Sequence, residues 1–394
     1  IMTVVTGLDI IKDSKSIDRQ YSGGVAYLAH GASVDGKLEH GIAIMKKRFG
    51  NRFIKVFSPQ HGLVGDVQDN MIESDHFHHP YFDLPVYSLY SETRKPTSEM
   101  LQDLQVVFVD LQDVGTRIYT YIYTMTYMME ACANLGIKVV VLDRPNPIGG
   151  LLVEGNILEP EFTSFVGRHP LPMRHGMTIG EIALMAKTHW GIDCQLEVIK
   201  MRGWDRAMYF EQTGLPWVLP SPNLATAEAA LVFPGSVLFE GTNVSEGRGT
   251  TRSLEIIGHP GIEPYGWLET LEDEFSGLKL EGFRLRPLNF IPTFQKHQGK
   301  ACGGYQIHVV DKQKFKPWRL GQFLCKAFYR DLAAFSWKQP PYEYEYNNMP
   351  IDILNGSDKL RLWVEGNGDL DQLVEIEQQG AADFQESRSA VLQY

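Results

Sequence analysis

One stretch of the chain, residues 104–143, contains two short apolar runs, LQVVFVD (Leu104–Asp110) and KVVVLD (Lys138–Asp143). Between them, Tyr119–Leu135 has apolar residues at helical spacing and is followed by Gly136, a residue type that commonly ends helices. Continuous β-branched runs are typical of strands that are buried on both faces of a parallel sheet. This order of elements predicts a right-handed crossover in a doubly wound α/β sheet.

The same alternation of strand and helix extends on both sides of this stretch. The segment Thr178–Trp190 predicts a helix with a capping box, because Glu181 follows Thr178 by three residues. The other predicted elements are the strands Val25–His30, Phe53–Phe57 and Gln195–Met201 and the helix Gly41–Phe49. The first part of the chain is therefore predicted to form a mainly parallel sheet.

The alternation becomes looser after about residue 240. There the Gly-rich segment EGTNVSEGRGT (Glu240–Thr250) is followed by a predicted helix near Leu320–Leu332 and by predicted strands at Tyr305–Val310 and Leu360–Glu365. We predict two domains, a catalytic α/β domain over residues 1–240 and a smaller α+β domain over residues 241–394, since the chain is too long for one typical core.

The composition limits the classes of function. The chain has 394 residues, of which 43% are hydrophobic and 22% charged, close to globular averages. The net charge of −11 gives no basic surplus for phosphates, so we expect no nucleic-acid partner. No apolar run reaches the roughly 18–20 residues that span a bilayer, so we expect a soluble protein without a membrane partner. Four separated cysteines favour a cytoplasmic location, while Ile at residue 1 leaves an exported form with a trimmed leader open.

Several common sequence signatures are absent. The chain has no G-x-G-x-x-G after a predicted strand, no G-x-x-x-x-G-K-[ST] and no G-x-S-x-G. We therefore expect neither a nucleotide cofactor nor an α/β-hydrolase serine. Three histidines within His76–His79 are more typical of a solvated loop than of a metal site, because no H-E-x-x-H helix accompanies them. We expect no cofactor.

Polar residues follow four of the predicted strands at the point where each strand ends. These segments are His30–Gly31, Ser58–Gly62, Asp110–Gly115 and Asp143–Pro147. In open α/β sheets, ligands bind beyond the carboxyl ends of the strands, so the four segments predict one shared cleft. The alternative interpretation is that Asp and Asn only cap helices or form turns there.

The residue types at these ends suit a carbohydrate, because amides and carboxylates bind hydroxyl groups and aromatic faces cover sugar rings. Tyr90 leads into Arg94, and three tyrosines alternate in Tyr119–Tyr123. We expect two of these three tyrosines to pack in the core.

Several motifs together resemble one known family. They are GLVGD, LPVYSLYSETRKPT, DLQDVGTRIYTY, VVVLDRPNPIGG, FEGTNVSEGRGT and PPYEYEYNNMPIDILNG. The chain resembles the NamZ-type exo-β-N-acetylmuramidase family over nearly its whole length. The resemblance implies a Rossmann-like N-terminal domain, a smaller C-terminal domain and a cleft between them. It also implies release of terminal N-acetylmuramic acid from the non-reducing end of peptidoglycan fragments.

One position departs from the family pattern. The family has Pro-Glu-His-Gly after the second strand, with that Glu as its favoured catalytic acid, whereas this chain has Gln60. An amide cannot donate a proton to a leaving oxygen at neutral pH. Three explanations stay open: another carboxylate replaces the Glu, the acetamido group of the substrate acts as nucleophile, or the protein binds a sugar without cleaving it or cleaves a different acidic or amino sugar.

We predict that the replacing acid is Glu73, Asp110 or Asp113. Two carboxylates on one short loop raise the pKa of one of them, which would supply the acid in the case of Asp110 and Asp113. The alternative for this pair is that Asp110 caps the following helix while Asp113 faces solvent or pairs with Arg117.

The lactyl carboxylate of muramic acid needs a cation, and an Arg side chain matches it best. The candidate cations are Arg94, Arg117, Arg144 and Arg248. Candidate partners for hydroxyl or acetamido groups are Asn146, Asn223 and Asn243. The remaining predicted binding residues are Gln60, His61, Tyr90, Gln112, Tyr119, Asp143, Glu154 and Glu240. The expected partner is a muropeptide or another amino-sugar substrate.

Overall fold

The computed structural model describes residues 3–69 and 71–394. The predicted fold class is confirmed, because a mainly parallel sheet with surrounding helices is followed by a smaller unit with an antiparallel sheet. The strands are β1 (Gly24–Ala29), β2 (Phe53–Ser58), β3 (Phe77–His79), β4 (Leu84–Ser88), β5 (Leu104–Asp110), β6 (Lys138–Leu142), β7 (Glu154–Ile157), β8 (Pro172–Arg174), β9 (Leu196–Ile199), β10 (Ile256–His259), β11 (Phe283–Phe290) and β12 (Cys302–Val309).

The helices are α1 (Gly7–Asp13), α2 (Gly41–Phe49), α3 (Tyr121–Leu135), α4 (Ile179–His189), α5 (Ala227–Ser236), α6 (Pro264–Gly277), α7 (Pro317–Asp331), α8 (Pro350–Asn355), α9 (Lys359–Glu365), α10 (Leu370–Gln378) and α11 (Ala381–Ser389). The four helices that the sequence predicts correspond to α2, α3, α4 and α7, which begin and end close to the predicted positions. Thr178 and Glu181 form the predicted capping box at the start of α4. Gly136 ends α3 with φ 68°, a left-handed conformation that favours glycine. None of the helices described is both long and apolar enough to cross a bilayer.

The large sheet has the strand order β3-β4-β2-β1-β5-β6-β9, and every neighbouring pair is parallel except β3 and β4. Ala29 at the end of β1 pairs with Asp110 at the end of β5, and Ser58 of β2 pairs with Ser88 of β4. The carboxyl ends of these strands therefore meet at one edge of the sheet, as the sequence predicts.

The second unit packs against the first mainly through α5, β7 and α4, which contact α7, α10 and α11. Its antiparallel sheet has the order β10-β12-β11, and one apolar core extends from Ala26 of β1 to Val391 near the end of the chain. Helices α5 and α7 cross where two glycines meet, because a Cβ on Gly321 would lie 2.6 Å from the Cα of Gly235. The division of the chain at residue 240 stays a prediction, since α5 precedes it and packs against α7 beyond it.

One predicted strand is wrong. Residues Leu360–Glu365 form most of helix α9 instead of a strand. The buried side chains are Leu360, Trp363 and Val364, which follow helical spacing, whereas Leu362 is exposed. The apolar residues of the six-residue sequence LRLWVE fit both the alternation of a strand and the spacing of a helix. Packing against α7, α8 and α10 stabilises the helix.

The fully buried Arg117 joins the two units. Its Nη1 group donates to the carbonyl oxygens of Asn156 at 2.7 Å and Leu171 at 2.8 Å. Its Nη2 group donates to those of Leu354 at 3.3 Å and Asn355 at 2.7 Å. The last two carbonyls end helix α8, so one guanidinium satisfies acceptors that the helix leaves unpaired and interacts favourably with the helix dipole. Burial lowers the pKa of Arg117 to about 10.

Replacing Arg117 with Met should destabilise the protein by about 3 kcal/mol, because four buried carbonyl groups lose their donor. The thermal midpoint and the urea midpoint of unfolding measure this effect. Arg19→Met, at an exposed position, is the control and should unfold like the unchanged chain. Equal unfolding of both variants would contradict a connecting role for Arg117.

Candidate active site

A cavity lies where the carboxyl edge of the large sheet meets the second unit. Its walls come from the loop after β2, the start of α3, residues 221–224 and two segments of the second unit. The space among the lining side chains is about 500 Å³, including its opening to solvent. Its polar walls include Gln60, His61, Tyr119, Thr120, Ser221, Asn223, Glu240, Arg248, Tyr342 and Glu343.

Six of the predicted binding residues meet in this cavity, namely Gln60, His61, Tyr119, Asn223, Glu240 and Arg248. The loop after β2 contributes as the strand-end rule predicts. The Gly-rich segment Glu240–Thr250 also lines the cavity, with Glu240 and Arg248, because it lies next to the loop after β2. The structure thus brings together side chains that lie on both sides of the predicted domain boundary.

Gln60 connects the large sheet to a carboxyl group of the second unit. Its Oε1 atom accepts a hydrogen bond of 2.8 Å from the hydroxyl of Thr120, the residue that precedes α3. The amide group of Gln60 is therefore free to donate towards the carboxylate of Glu343, and its interaction with that group lowers the pKa of the Glu343 carboxyl. Gln60 holds an acidic group in the cavity and is not itself an acid.

Glu343 is the acidic residue of the cavity that sequence reasoning missed. Burial is the largest cause that raises the pKa of its carboxyl to about 7; the charge of Glu240 also raises this pKa, while the hydrogen bond from Tyr90 and the charge of Arg94 oppose the rise. The Tyr90 hydroxyl donates to Oε2 of Glu343 at 2.8 Å. The available signal was the motif PPYEYEYNNMP, in which an acid stands among tyrosines after two prolines. A carboxyl group with this pKa can give up a proton near neutral pH.

An unusual turn presents Glu343 to the cavity. The backbone φ values of Glu343 and Tyr344 are 47° and 63°, in the left-handed region that favours glycine. Tyr342 and Glu345 exchange two backbone hydrogen bonds of 3.0 and 2.9 Å across this turn. Left-handed backbone costs roughly 1–2 kcal/mol for each residue that is not glycine. Such local strain is concentrated at functional sites, where the surrounding packing maintains it.

His61 presents a neutral imidazole to the cavity. Its Nδ1–H donates to the carbonyl of Val67 at 2.7 Å, which leaves Nε2 as an acceptor. Burial lowers the pKa of His61 to about 4, so the ring stays uncharged at neutral pH. His61 also has a left-handed backbone, with φ 70°, and the next residue is Gly62 with φ 74°.

Glu240 and Arg248 form an ion pair in the wall of the cavity. The Tyr342 hydroxyl donates to Oε2 of Glu240 at 2.5 Å. Arg248 also donates from Nε to Glu246 at 3.0 Å, and Lys296 donates to the same Glu246 carboxylate at 2.7 Å. This network fixes Glu240 beside the cavity and satisfies the charge of Arg248.

The side chains of Asn223 and Tyr119 also line the cavity. The amide of Asn223 is engaged with Gln68, donating to its carbonyl at 2.9 Å. The buried hydroxyl of Tyr119 interacts with the hydroxyls of Ser221 and Tyr121. Both residues therefore mainly shape the wall of the cavity.

Comparisons with known proteins place this chain in a family. Residues 25–228 match the family description exo-beta-N-acetylmuramidase NamZ, N-terminal, and residues 231–394 match exo-beta-N-acetylmuramidase NamZ, C-terminal. The chain belongs to the NamZ family. It is 40% identical over 394 residues to the peptidoglycan beta-N-acetylmuramidase NamZ of Bacillus subtilis (strain 168), covering 99% of this chain and 91% of that protein.

Two crystal structures of DUF1343 family proteins from Bacteroides fragilis NCTC 9343 have the same fold. One has a TM-score of 0.86 and 30% identity over 100% of both chains. The other has a TM-score of 0.72 and 28% identity over 99% of both chains.

In this NamZ-family chain, Asp110 and Asp113 lie outside the cavity, which corrects their predicted place as its acids. Asp110 is fully buried, forms an ion pair with Arg144 and accepts a hydrogen bond from the Tyr27 hydroxyl. Asp113 accepts from the backbone of Gly115 at 2.9 Å and lies 3.2 Å from Nε2 of His175. Neither residue caps α3, and Asp113 does not pair with Arg117. Both carboxylates hold the loop after β5 in place.

Glu73 and Arg94 lie next to the acid but not in the lining of the cavity. The Arg94 guanidinium carbon is 3.9 Å from the centre of the Tyr90 ring and 5.1 Å from that of Tyr344. Glu73 accepts a hydrogen bond from the Tyr344 hydroxyl at 3.1 Å and is half exposed. Glu73 and Arg94 thus help to hold the hydrogen bond between Tyr90 and Glu343 from outside the cavity. Tyr90 therefore influences the site through the Glu343 carboxyl group.

Four other predicted binding residues have structural roles in the first unit. Asp143 accepts hydrogen bonds from Gly180 and Thr178 at the start of α4, and burial raises its pKa to about 6. Asn146 forms the expected turn and donates to the carbonyl of Met177. The predicted substrate-binding roles are therefore corrected for Arg117, Arg144, Asp143 and Asn146. Their polar groups form hydrogen bonds that hold loops and helix ends in place.

Three more predicted residues lie near other surfaces. Gln112 donates to the carbonyls of Asp113 and Pro145 and lies away from the main cavity. Glu154 accepts from the backbone of Arg319 at the start of α7, and burial raises its pKa to about 7. Asn243 lines a second cavity next to the first.

The histidine-rich loop organises its own backbone. His76 accepts from the Ser88 backbone at 2.9 Å, His78 contacts Asp83 at 2.6 Å, and His79 accepts from the backbone of Phe82 at 3.3 Å. Within residues 3–69 and 71–394, no three His, Cys, Asp or Glu side chains converge in a metal-ligating cluster.

Asp110→Asn should lower the free energy of unfolding by about 3–5 kcal/mol, because it leaves the buried Arg144 guanidinium without its charged partner. The specific activity of the remaining folded protein should stay close to that of the unchanged chain. Urea unfolding and an activity assay below the unfolding transition measure the two effects. Asp83→Asn, on the surface, is the control. Lost activity with unchanged stability would restore Asp110 as a catalytic candidate.

Proposed function

We propose that this protein is a glycoside hydrolase that releases terminal N-acetylmuramic acid from the non-reducing end of peptidoglycan fragments. The observation that carries the proposal is a pair of buried glutamates in one cavity, of which Glu343 has a pKa near 7. Membership of the NamZ family supports the substrate class, as does the name of the Bacillus subtilis relative. Glycoside hydrolysis commonly uses two carboxyl groups with separate roles.

In the proposed reaction, Glu343 is the general acid. It gives its proton to the glycosidic oxygen, the bond between that oxygen and C1 breaks, and the bonding electrons stay on the oxygen. Water then adds to C1, and the proton it releases returns to the carboxylate. The raised pKa suits this role because a substantial fraction of the carboxyl is still protonated near neutral pH.

Glu240 is the proposed partner carboxylate. Its contacts with Arg248 and Tyr342 hold it at the cavity wall, where a negative charge stabilises the positive charge that develops on the sugar ring. The two glutamates thus differ in environment. Glu343 is paired with neutral donors and favours its protonated form, whereas Glu240 is paired with a guanidinium.

This assignment accounts for Gln60. The resemblance to the family implies a glutamate at this position, whereas this chain has an amide that interacts with the Glu343 carboxyl. We propose that catalysis has shifted from position 60 to position 343, with Gln60 as a positioning residue. The alternative, a protein that binds sugar without cleaving it, predicts tight muropeptide binding without turnover.

We also propose that the protein acts in the cytoplasm, on muropeptides or related amino sugars, in the recycling of cell-wall fragments. Cys132, Cys194, Cys302 and Cys325 are all buried and unpaired, which suits a reducing compartment. Neither a nucleic acid nor a membrane is part of this proposal.

Glu343→Gln should lower kcat on an N-acetylmuramic acid disaccharide about 10²–10⁴-fold, because the leaving oxygen loses its proton donor. Steady-state kinetics measure the change. Glu345→Gln, in the same turn, is the matched control, since its carboxylate only accepts from the backbone of Asn347 and Asn348 and an amide oxygen can do the same. Full activity of Glu343→Gln would contradict the assignment, as would a large gain of activity in Gln60→Glu.

The pH dependence provides an independent check. Since the protonated form of Glu343 is required, kcat/KM should fall as the pH rises through about 7, the pKa of that carboxyl. This alkaline limb should disappear in Glu343→Gln, whose remaining activity has no proton to lose at that position. A limb that persists unchanged in the variant would belong to another group.

A further inference from the structure

A second cavity adjoins the first and shares Glu240 and Tyr342 with it. Its space is about 970 Å³, including its opening to solvent, so it is large enough for a substituent of a sugar that occupies the first cavity. Its walls also carry Lys296, Lys338 and Asp69. Any substituent that enters it lies next to one of the two proposed catalytic carboxylates.

The charges around the two cavities are mostly paired within the protein. Arg248 is paired with both Glu240 and Glu246, and Lys296 is paired with Glu246 at 2.7 Å. The carboxylate of Asp69 accepts a hydrogen bond from Gln295. Lys338 is the exception, because it forms no ion pair with any of the described residues. An anionic ligand would therefore find one cation here that is not already neutralised.

The position of Lys338 is well defined. Its ammonium group lies 5.4 Å from the centre of the Tyr342 ring, a favourable cation–π distance, and Tyr342 in turn contacts Glu240. Its backbone N–H donates to the carbonyl of Gly241 at 2.9 Å. Burial lowers the pKa of the neighbouring Lys296, and the positive charge of Lys338 adds to this lowering. A bound carboxylate would relieve this repulsion between the two ammonium groups.

Asn243, one of the predicted binding residues, holds the segment that carries Lys338. Its side chain donates to the carbonyl of Ala334 at 2.7 Å and accepts from the backbone of Ser336 at 3.0 Å. The neighbouring residues Thr242 and Trp337 form a backbone bridge. Asn243 thus fixes the distance between the Gly-rich segment and Lys338.

We infer that Lys338 binds the lactyl carboxylate of the muramic acid ring, so that the second cavity selects N-acetylmuramic acid over N-acetylglucosamine. The inference rests on the proposed function. It differs from the sequence prediction, which assigned this carboxylate to an arginine. Arg117 and Arg144 are buried away from the cavity, Arg94 is stacked between aromatic rings, and Arg248 already contacts two carboxylates.

The test compares p-nitrophenyl β-glycosides of N-acetylmuramic acid, of its lactyl methyl ester and of N-acetylglucosamine. Lys338→Met should lower kcat/KM for the free acid about 10–100-fold, because a charged hydrogen bond is lost, and change the other two substrates little. Lys338→Arg should keep most of the preference for the acid. Lys300→Met, which removes an exposed lysine outside the cavity, is the matched control and should behave like the unchanged chain.

An equal loss on all three glycosides would contradict the inference and indicate a structural role for Lys338. Unchanged selectivity in Lys338→Met would also contradict it, since the carboxylate would then bind elsewhere. If the unchanged chain cleaves none of the glycosides, the proposed function is wrong, and calorimetric binding of free N-acetylmuramic acid tests the inference separately. Equal affinity of the unchanged chain and Lys338→Met for this sugar would overturn it.

Discussion

The burial of the Glu343 carboxyl group, with Tyr90 on one side and Gln60 on the other, is the constraint on which the proposed chemistry depends. A carboxyl group that leaves water keeps its proton at higher pH, because the charged form loses its hydration. The hydrogen bond from Tyr90, the more distant charge of Arg94 and the interaction with Gln60 moderate this effect. The result is an acid that is half protonated near pH 7. Any cation placed within contact of this group would favour the charged form and remove its ability to protonate a substrate.

The parallel sheet supports this arrangement mainly as a scaffold. Its carboxyl edge does collect polar side chains, but most of them are consumed by the fold. Asp110 holds Arg144, and Asp143 accepts hydrogen bonds at the start of α4. Of the strand-end segments, the loop after β2 reaches the cavity, with Gln60 and His61. The two carboxyl groups come from beyond the large sheet, Glu240 at the predicted boundary and Glu343 in the second unit, so catalysis in this account requires both units to be packed together.

The sequence predicted the fold well because strand burial and helix capping are local properties. The run LQVVFVD and the capping box at Thr178 each contain the information for their own structure. The segment Leu360–Glu365 was predicted wrongly because its apolar residues fit two periods and distant packing decides between them. The site was only partly predictable for a similar reason. Gln60 and Glu343 are far apart in the chain, and no local pattern indicates that they meet. Nor does any local pattern indicate that the Asp110 carboxylate is paired with Arg144.

The most direct measurement is a crystal structure of the Glu343→Gln variant with an intact N-acetylmuramic acid disaccharide bound. The account predicts that the glycosidic oxygen lies within hydrogen-bonding distance of the side chain at position 343, with the terminal ring between positions 240 and 343. A disaccharide bound at the Asp110–Arg144 pair, or one whose glycosidic oxygen faces another carboxyl group, would contradict it.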